Sequence, residues 1–99
     1  MYYLKDSKIY KDLGNNAHCL VAFLHVRKIE SGHSEWKMIS YEVSYTLTKT
    51  YVDHDVPRVI GWWSDSYTME EIINEAAGKL IKEAIRQDWS GSYYGVDVP

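Results

Sequence analysis

The sequence predicts a small α+β domain in which one antiparallel sheet packs against one C-terminal helix. Two patterns support this prediction. Apolar residues recur every second position in the middle of the chain, which is typical of a strand with one buried face. Near the end they recur at the spacing of an amphipathic helix. At 99 residues, with 45% hydrophobic and 25% charged residues, the chain fits a single globular domain spanning residues 1–99.

The N-terminal residues allow two interpretations. Residues 7–13 fit a short helix that begins at Asp6 or Ser7 as N-cap and ends before Gly14. Residues 2–4 fit a short edge strand equally well. We favour the helix over residues 7–13.

A long hairpin over about residues 18–52 forms most of the predicted sheet of three to four strands. The first strand covers residues 18–29, and its apolar run over 19–24 indicates that both faces are covered there. A turn over residues 31–34 follows. The second strand covers residues 36–52, where apolar residues alternate with residues that mostly carry small hydroxyl side chains. The apolar positions are Ile39, Tyr41, Val43, Tyr45, Leu47 and Tyr51.

The length of this second strand is itself informative. Fully extended, residues 36–52 would span over ~50 Å at about 3.3 Å per residue. A compact chain of this size has a radius of gyration of only ~13 Å. We therefore expect the strand to bend, bulge, break or reach a second subunit, with Lys49 as the expected break.

The C-terminal helix is predicted over residues 69–89. Thr68 and Glu71 have the spacing of a capping box, and Gly91 fits the position just past the helix end. A short third strand is predicted over residues 58–63, and the tail over 92–99 could add an edge strand. The predicted core comprises Leu20, Ala22, Leu24, Val26, Ile39, Val43, Leu47, Ile72, Ile73, Ala76, Leu80 and Ile85.

Composition narrows the class of function. The net charge of −3 comes without a basic cluster, so nucleic acid is not the expected partner. No apolar run approaches the ~20 residues of a membrane span. A single cysteine and an N-terminus without a signal-peptide pattern indicate a cytoplasmic protein.

Few residue patterns point to catalysis. His18 and Cys19 are adjacent in a strand, so their side chains point to opposite faces and cannot share a hydrogen bond. Asp53, His54 and Asp55 are dense in potential metal ligands, but no recognised spacing supplies the remaining ligands. Phosphate-binding, dinucleotide-binding and serine-hydrolase motifs are absent from the sequence. We expect no enzyme activity, no catalytic residue, no metal and no cofactor.

The candidate binding residues are aromatic and hydroxyl side chains: Trp62, Trp63, Ser64, Tyr67, Tyr93 and Tyr94. The segment 61–68 lies at the start of the helix and allows three interpretations. In the first, the segment is a protein-contact patch, since Trp and Tyr dominate interface hot spots. In the second, it binds a small anionic ligand or nucleotide at the helix N-terminus. In the third, it is ordinary packing, with Trp62 inside and Trp63 outside the core or the reverse.

Two hypotheses of function follow. The first is a small non-enzymatic binding protein, an inhibitor or adaptor of a protein partner, with a phage or other viral or mobile-element origin as a guess. The second is a ligand- or nucleotide-sequestering module that uses Trp62, Trp63 and Tyr67. One helix covers only one face of a strand that is apolar on both, so either the N-terminal segment or a second subunit covers the other face. We therefore also expect a homodimer.

Overall fold

The computed structural model describes residues 1–33, 35–48 and 56–95, with the backbone alone described for residues 92–95. Its elements are β1 (Tyr2–Lys5), β2 (Lys8–Gly14), β3 (Ala17–His33), β4 (Trp36–Leu47), β5 (Arg58–Ser64), α1 (Met69–Gln87) and β6 (Ser92–Gly95). Five strands form an antiparallel sheet in the order β1-β2-β3-β4-β5, and the short β6 also pairs with β3. The α+β class is confirmed, whereas the prediction of three to four strands is too low.

The N-terminal helix predicted over residues 7–13 is wrong. A hairpin of β1 and β2 occupies this segment, with Lys5 opposite Lys8. Asp6 and Ser7 form its turn, and both have positive φ angles of 50° and 59°. Positive φ at two central residues gives the backbone twist that favours a two-residue hairpin. The interpretation of residues 2–4 as a strand is confirmed.

A β-bulge explains part of the apolar run in β3. Ile9 pairs with Ala22 and Tyr10 pairs with Leu20, so Val21 is an extra residue between them. Val21 and Ala22 are consequently both fully buried in the same core cluster. The run that suggested two covered faces is thus in part the product of a strand irregularity.

The β3–β4 hairpin extends beyond the rest of the sheet. Its register runs from Ala22 opposite Leu47 to His33 opposite Trp36. The neighbouring strands stop earlier, since β2 reaches only Phe23 and β5 ends with Ser64 opposite Ser40. We call residues 25–33 and 36–39 the arm. It helps to give the molecule its long dimension of 55 Å, against 29 Å and 23 Å in the other directions.

The strand β4 ends at Leu47 within the described part of the chain. The break expected at Lys49 and the cluster Asp53-His54-Asp55 lie outside the described residues. The third strand, predicted over 58–63, is confirmed as β5.

The helix α1 covers one face of the sheet. The fully buried side chains are Ile9, Val21, Val43 and Ile72, together with three alanines. The capping box is confirmed, since Thr68 and Glu71 bond to each other's backbone N–H groups. Most of the predicted core is buried or half-buried, but Ile85 is 63% exposed and was wrongly included.

The end of the helix also differs from the prediction. Asp88, with φ of 50°, adopts the left-handed conformation that ends α1, and Gly91 does not have this role. Gly91 instead lies against β3, where a side chain would overlap the Leu20 carbonyl. This close approach brings β6 into register, with Ser92 opposite Leu20.

None of the helices in the described ranges has the length and apolar character needed to cross a membrane.

Candidate functional site

The two adjacent tryptophans of β5 lie on opposite faces of the sheet. Trp63 is only 8% exposed and packs in the core beneath α1. Its Nε1 donates to Glu75 Oε2 at 3.0 Å, and Lys79 Nζ lies 5.2 Å from the ring centroid. Trp62 is 62% exposed. The two rings therefore cannot line one pocket or stack on the two sides of one base.

The start of α1 already has its own hydrogen-bond partners. Thr68 N donates to Glu71 Oε1 at 2.9 Å, and Glu71 N donates to Thr68 Oγ1 at 3.1 Å. The backbone bond from Thr68 holds the pKa of Glu71 below its usual value, so the carboxylate stays charged. Ser64 is used locally, since its Oγ lies 2.6 Å from Ser66 Oγ. Tyr67, 43% exposed, is the remaining candidate there.

Tyr93 and Tyr94 lie in β6, far from Trp62 along the sheet. Tyr93 is opposite Cys19, whereas Trp62 is opposite Glu42, which is opposite Arg27. These points are separated by eight residues of β3, or about 26 Å at 3.3 Å per residue. The six predicted site residues therefore do not form one site.

A different set of residues gathers on the face of the sheet that α1 does not cover. Tyr41, Val43 and Tyr45 of β4 belong to the core or pack against it. Because alternate strand residues point to opposite faces, the even-numbered residues of β4 point away from the helix. We call this surface the open face. Its exposed large apolar side chains are Trp36 (73%), Met38 (72%), Trp62 (62%) and Val59 (46%).

Polar bonds hold the centre of the open face in place. Glu42 Oε2 accepts from Trp62 Nε1 at 3.2 Å and from Arg27 Nη2 at 3.1 Å. The Glu42 side chain is only 17% exposed, so this carboxylate lies partly beneath its two partners. Beside it, His25 Nε2 and Thr46 Oγ1 are 2.9 Å apart. The indole N–H of Trp62 is thus satisfied, and its exposed surface is mainly apolar.

Aromatic and basic residues border the open face on β1 and β2. The Tyr3 and Tyr10 rings stack with centroids 5.5 Å apart, and the Tyr3 hydroxyl lies 2.8 Å from His18 Nδ1. Burial and then the nearby Asp12 carboxylate raise the pKa of Tyr3. Lys5 and Lys8 face each other across the hairpin.

Trp36 and Met38 were missed as candidates, although the sequence contains the signal. The alternation that places Ile39 and Tyr41 on one face also places Trp36 and Met38 with Ser40 on the other. These two residues therefore interrupt a face that is otherwise polar along β4. Two large apolar residues at neighbouring polar-parity positions predict an exposed apolar patch, which is a mark of a contact surface.

The structure places the other reactive groups apart. Cys19 is a buried free thiol in the core cluster, whereas His18 points to Tyr3 on the opposite face. Within the described ranges, no group of three or more His, Cys, Asp or Glu side chains could hold a metal ion.

No protein-family model, no curated protein and no solved structure matches the chain. The chemistry of the open face is therefore what indicates a function.

Proposed function

We propose that this chain is a small non-enzymatic binding protein that captures a protein partner on the open face of its sheet. The observation that supports the proposal is the exposure of Trp36, Met38 and Trp62 on the face of the sheet that α1 does not cover. Aromatic residues and methionine are enriched in the buried centre of protein interfaces, and Trp is among the most frequent hot-spot residues. An inhibitor or an adaptor would use such a face.

The central aromatic of this face is held in position before binding. Trp62 is fixed by Glu42, and Glu42 is fixed in turn by Arg27. Trp36 and Met38 lie in β4 where it pairs with β3, opposite His33 and Ser31. A side chain that is already ordered loses less conformational entropy when a partner binds it.

Charge indicates the character of the partner. Among the described residues, Lys5 and Lys8 form no ion pair, and they border the open face on the same side of the sheet. A partner that combines apolar side chains with acidic ones would complement this surface. Such complementarity mainly accelerates association and makes it dependent on salt.

The nucleotide alternative stays a prediction from the sequence, and no contact in the described structure favours it. A cytoplasmic location and a viral origin likewise stay predictions.

The proposal is tested with two matched variants of the immobilised chain. One carries Met38→Ala and Trp62→Ala on the open face. The other carries Ile85→Ala, which removes an equally exposed side chain from α1. Proteins captured by wild type are purified, and their affinities for wild type and for both variants are measured by calorimetry at two salt concentrations.

We expect the open-face variant to bind the purified partner at least tenfold more weakly, because it loses two central apolar contacts. Equal affinity of all three proteins would place the interface elsewhere and refute the proposal. A shift in tryptophan fluorescence on adding a panel of nucleotides, without any protein partner, would instead support the sequestering function.

A further inference from the structure

One edge of β3 has no neighbour over the length of the arm. Leu24 N donates to Ser7 O at 2.9 Å, which is the last bond between β3 and the β1–β2 hairpin. From residue 25 to residue 33, β3 pairs only with β4 among the described residues. A strand edge of this length presents backbone N–H and C=O groups that another strand can pair with.

We propose that two copies of this chain pair β3 against β3, antiparallel, about a two-fold axis at Ile29. The two sheets then join into one continuous sheet. Three independent features of the edge select this register, and the proposal does not depend on the identity of the protein partner.

The first feature is the direction of the backbone groups. Leu24 N points to the β2 side, so the backbone groups of Val26, Lys28 and Glu30 point to the free edge by the two-residue alternation of a strand. In an antiparallel pair, residues that exchange both hydrogen bonds lie directly opposite each other. Because the even-numbered residues of each copy direct their backbone groups to the shared edge, the pairing forms hydrogen bonds only when Val26, Lys28 and Glu30 lie opposite even-numbered residues of the second copy.

The second feature is charge. An axis at Ile29 places Lys28 of each copy opposite Glu30 of the other. An axis at Lys28 would place two lysines opposite each other, and an axis at Glu30 would place two glutamates opposite each other. Within one chain, Lys28 Nζ and Glu30 Oε1 are 3.2 Å apart, and both side chains are about half exposed. In the dimer the four charges alternate in sign, whereas like charges directly opposite destabilise a sheet.

The third feature is the length of the free edge. Residue 29 is the midpoint of the segment 25–33, so an axis there centres the pairing on the free edge of both copies. His25 of one copy then lies opposite His33 of the other. His33, the last residue of the described edge, lies one position short of Leu24 of the second copy, whose N–H bonds to Ser7. The arm thus has the length that this pairing requires.

The pairing also determines where the open faces lie. Residues opposite each other in an antiparallel pair point to the same face of the sheet. The open faces of the two copies therefore lie side by side on one surface of the dimer. A partner with two contact sites would bind this dimer more tightly than it binds a single copy of the chain.

Charge reversal tests the register. Molar mass is measured by sedimentation equilibrium from low to high micromolar concentration. We expect wild type to dimerise reversibly, and Lys28→Glu or Glu30→Lys alone to weaken the dimer at least tenfold. The double variant with both reversals regains the dimer, because each new glutamate again faces a new lysine. Lys37→Glu, an exposed reversal on the other strand of the arm, is the control and keeps the wild-type dimer.

Disulfide formation tests the position of the axis. A cysteine at residue 29 would face itself in a non-hydrogen-bonded pair, with Cα atoms about 4.5 Å apart. That separation lies within the range that a disulfide bridges. Cysteines at residue 31 would be four residues out of register, or about 13 Å apart along the strand. We expect Ile29→Cys to cross-link as a dimer under mild oxidation and Ser31→Cys to stay uncross-linked. The native Cys19 is buried and does not interfere.

Several results would overturn the proposal. They are a strict monomer at high micromolar concentration, single reversals that dimerise like wild type, or a double reversal that fails to restore the dimer. Equal cross-linking of Ile29→Cys and Ser31→Cys would exclude the axis at Ile29. A dimer lost only on replacing Met38 and Trp62 would place the contact on the open face instead.

Discussion

The two faces of this sheet are built from the same strands and differ sharply in their exposure to water. Towards α1, Ile9, Val21 and Val43 are fully excluded from water. Burial of this kind contributes roughly 25 cal/mol per Å² of apolar surface and holds the fold together. On the other side, Trp36 and Met38 keep about three quarters of their surface exposed. Because exposed side chains add little to stability, the open face is available for binding without weakening the core.

Trp62 and Trp63 are neighbours in sequence but lie on the open and the covered face, so replacing each one compares the two faces. The expected difference in the free energy of unfolding is the largest of those predicted. We predict that Trp63→Ala lowers the free energy of unfolding by about 3–5 kcal/mol, because it empties a core position. It also removes the bond to Glu75. Trp62→Ala should change it by less than about 1 kcal/mol, since surface substitutions have small effects. Urea unfolding followed by circular dichroism measures both, and equal losses would remove the distinction between the faces.

The contrast between buried and exposed side chains can also be measured with two isoleucines of the helix α1. Ile72 is fully buried, whereas Ile85 is 63% exposed. We predict a loss of about 2–5 kcal/mol for Ile72→Ala, the usual cost of removing a buried aliphatic side chain. Ile85→Ala should be nearly neutral because alanine also favours the helix. A neutral Ile72→Ala in the same unfolding experiment would contradict the placement of the core.

The capping box at the start of α1 gives an intermediate effect. Thr68→Ala removes the acceptor for Glu71 N and should cost about 0.5–2 kcal/mol. Thr68→Ser keeps that acceptor and should stay close to wild type. Thermal unfolding of the three proteins checks the order. If Thr68→Ser fell as far as Thr68→Ala, the methyl group rather than the hydroxyl would be the important contact.

The smallest effect concerns the ion pair that ties β2 to the end of α1 on the covered side. Lys11 Nζ lies 2.9 Å from Asp88 Oδ1. This bond lowers the pKa of Asp88 and raises the pKa of Lys11. Its contribution should therefore be lost as pH falls through the lowered pKa of folded Asp88, and lost again as pH rises through the raised pKa of folded Lys11.

Urea unfolding of wild type and Asp88→Asn at several pH values measures this contribution. The difference between the two proteins should be small, since surface ion pairs contribute little. It should be greatest near neutral pH and vanish in acid. A difference that is independent of pH would show that the ion pair is not its source.

The hairpin, the third strand and the helix could be predicted because their apolar residues follow regular periods. The N-terminal helix was mispredicted because Asp6-Ser7 lacks the Asn-Gly or Asp-Gly pattern that marks a two-residue hairpin turn. The helix end was misplaced because an aspartate, Asp88, takes the left-handed position where glycine is usual. Both errors in placing the elements come from positive φ angles at residues that are not glycine, which the residue types alone do not predict.

The candidate site was predicted only in part. Trp62 was among the candidates, and its separation from Trp63 was one of the three interpretations considered. Once residues 58–63 form a strand, the alternation that separates His18 from Cys19 also separates Trp62 from Trp63. Which of the two tryptophans is buried depends on the face that α1 covers, and the segment 61–68 alone does not determine that face. The alternation along β4 places Trp36 on the polar face, so its facing could be predicted, whereas its exposure depends on where β2 and β5 end beside the arm, which appears only in the fold.

Hydroxyl-radical footprinting with mass spectrometry tests the two-faced sheet most directly, because it reports the exposure of each tryptophan in one sample of the unaltered chain. We predict that Trp36 and Trp62 are oxidised rapidly and that Trp63 is protected, in line with exposures of 73%, 62% and 8%. Rapid oxidation of Trp63 together with protection of Trp62 would contradict the assignment of covered and open faces.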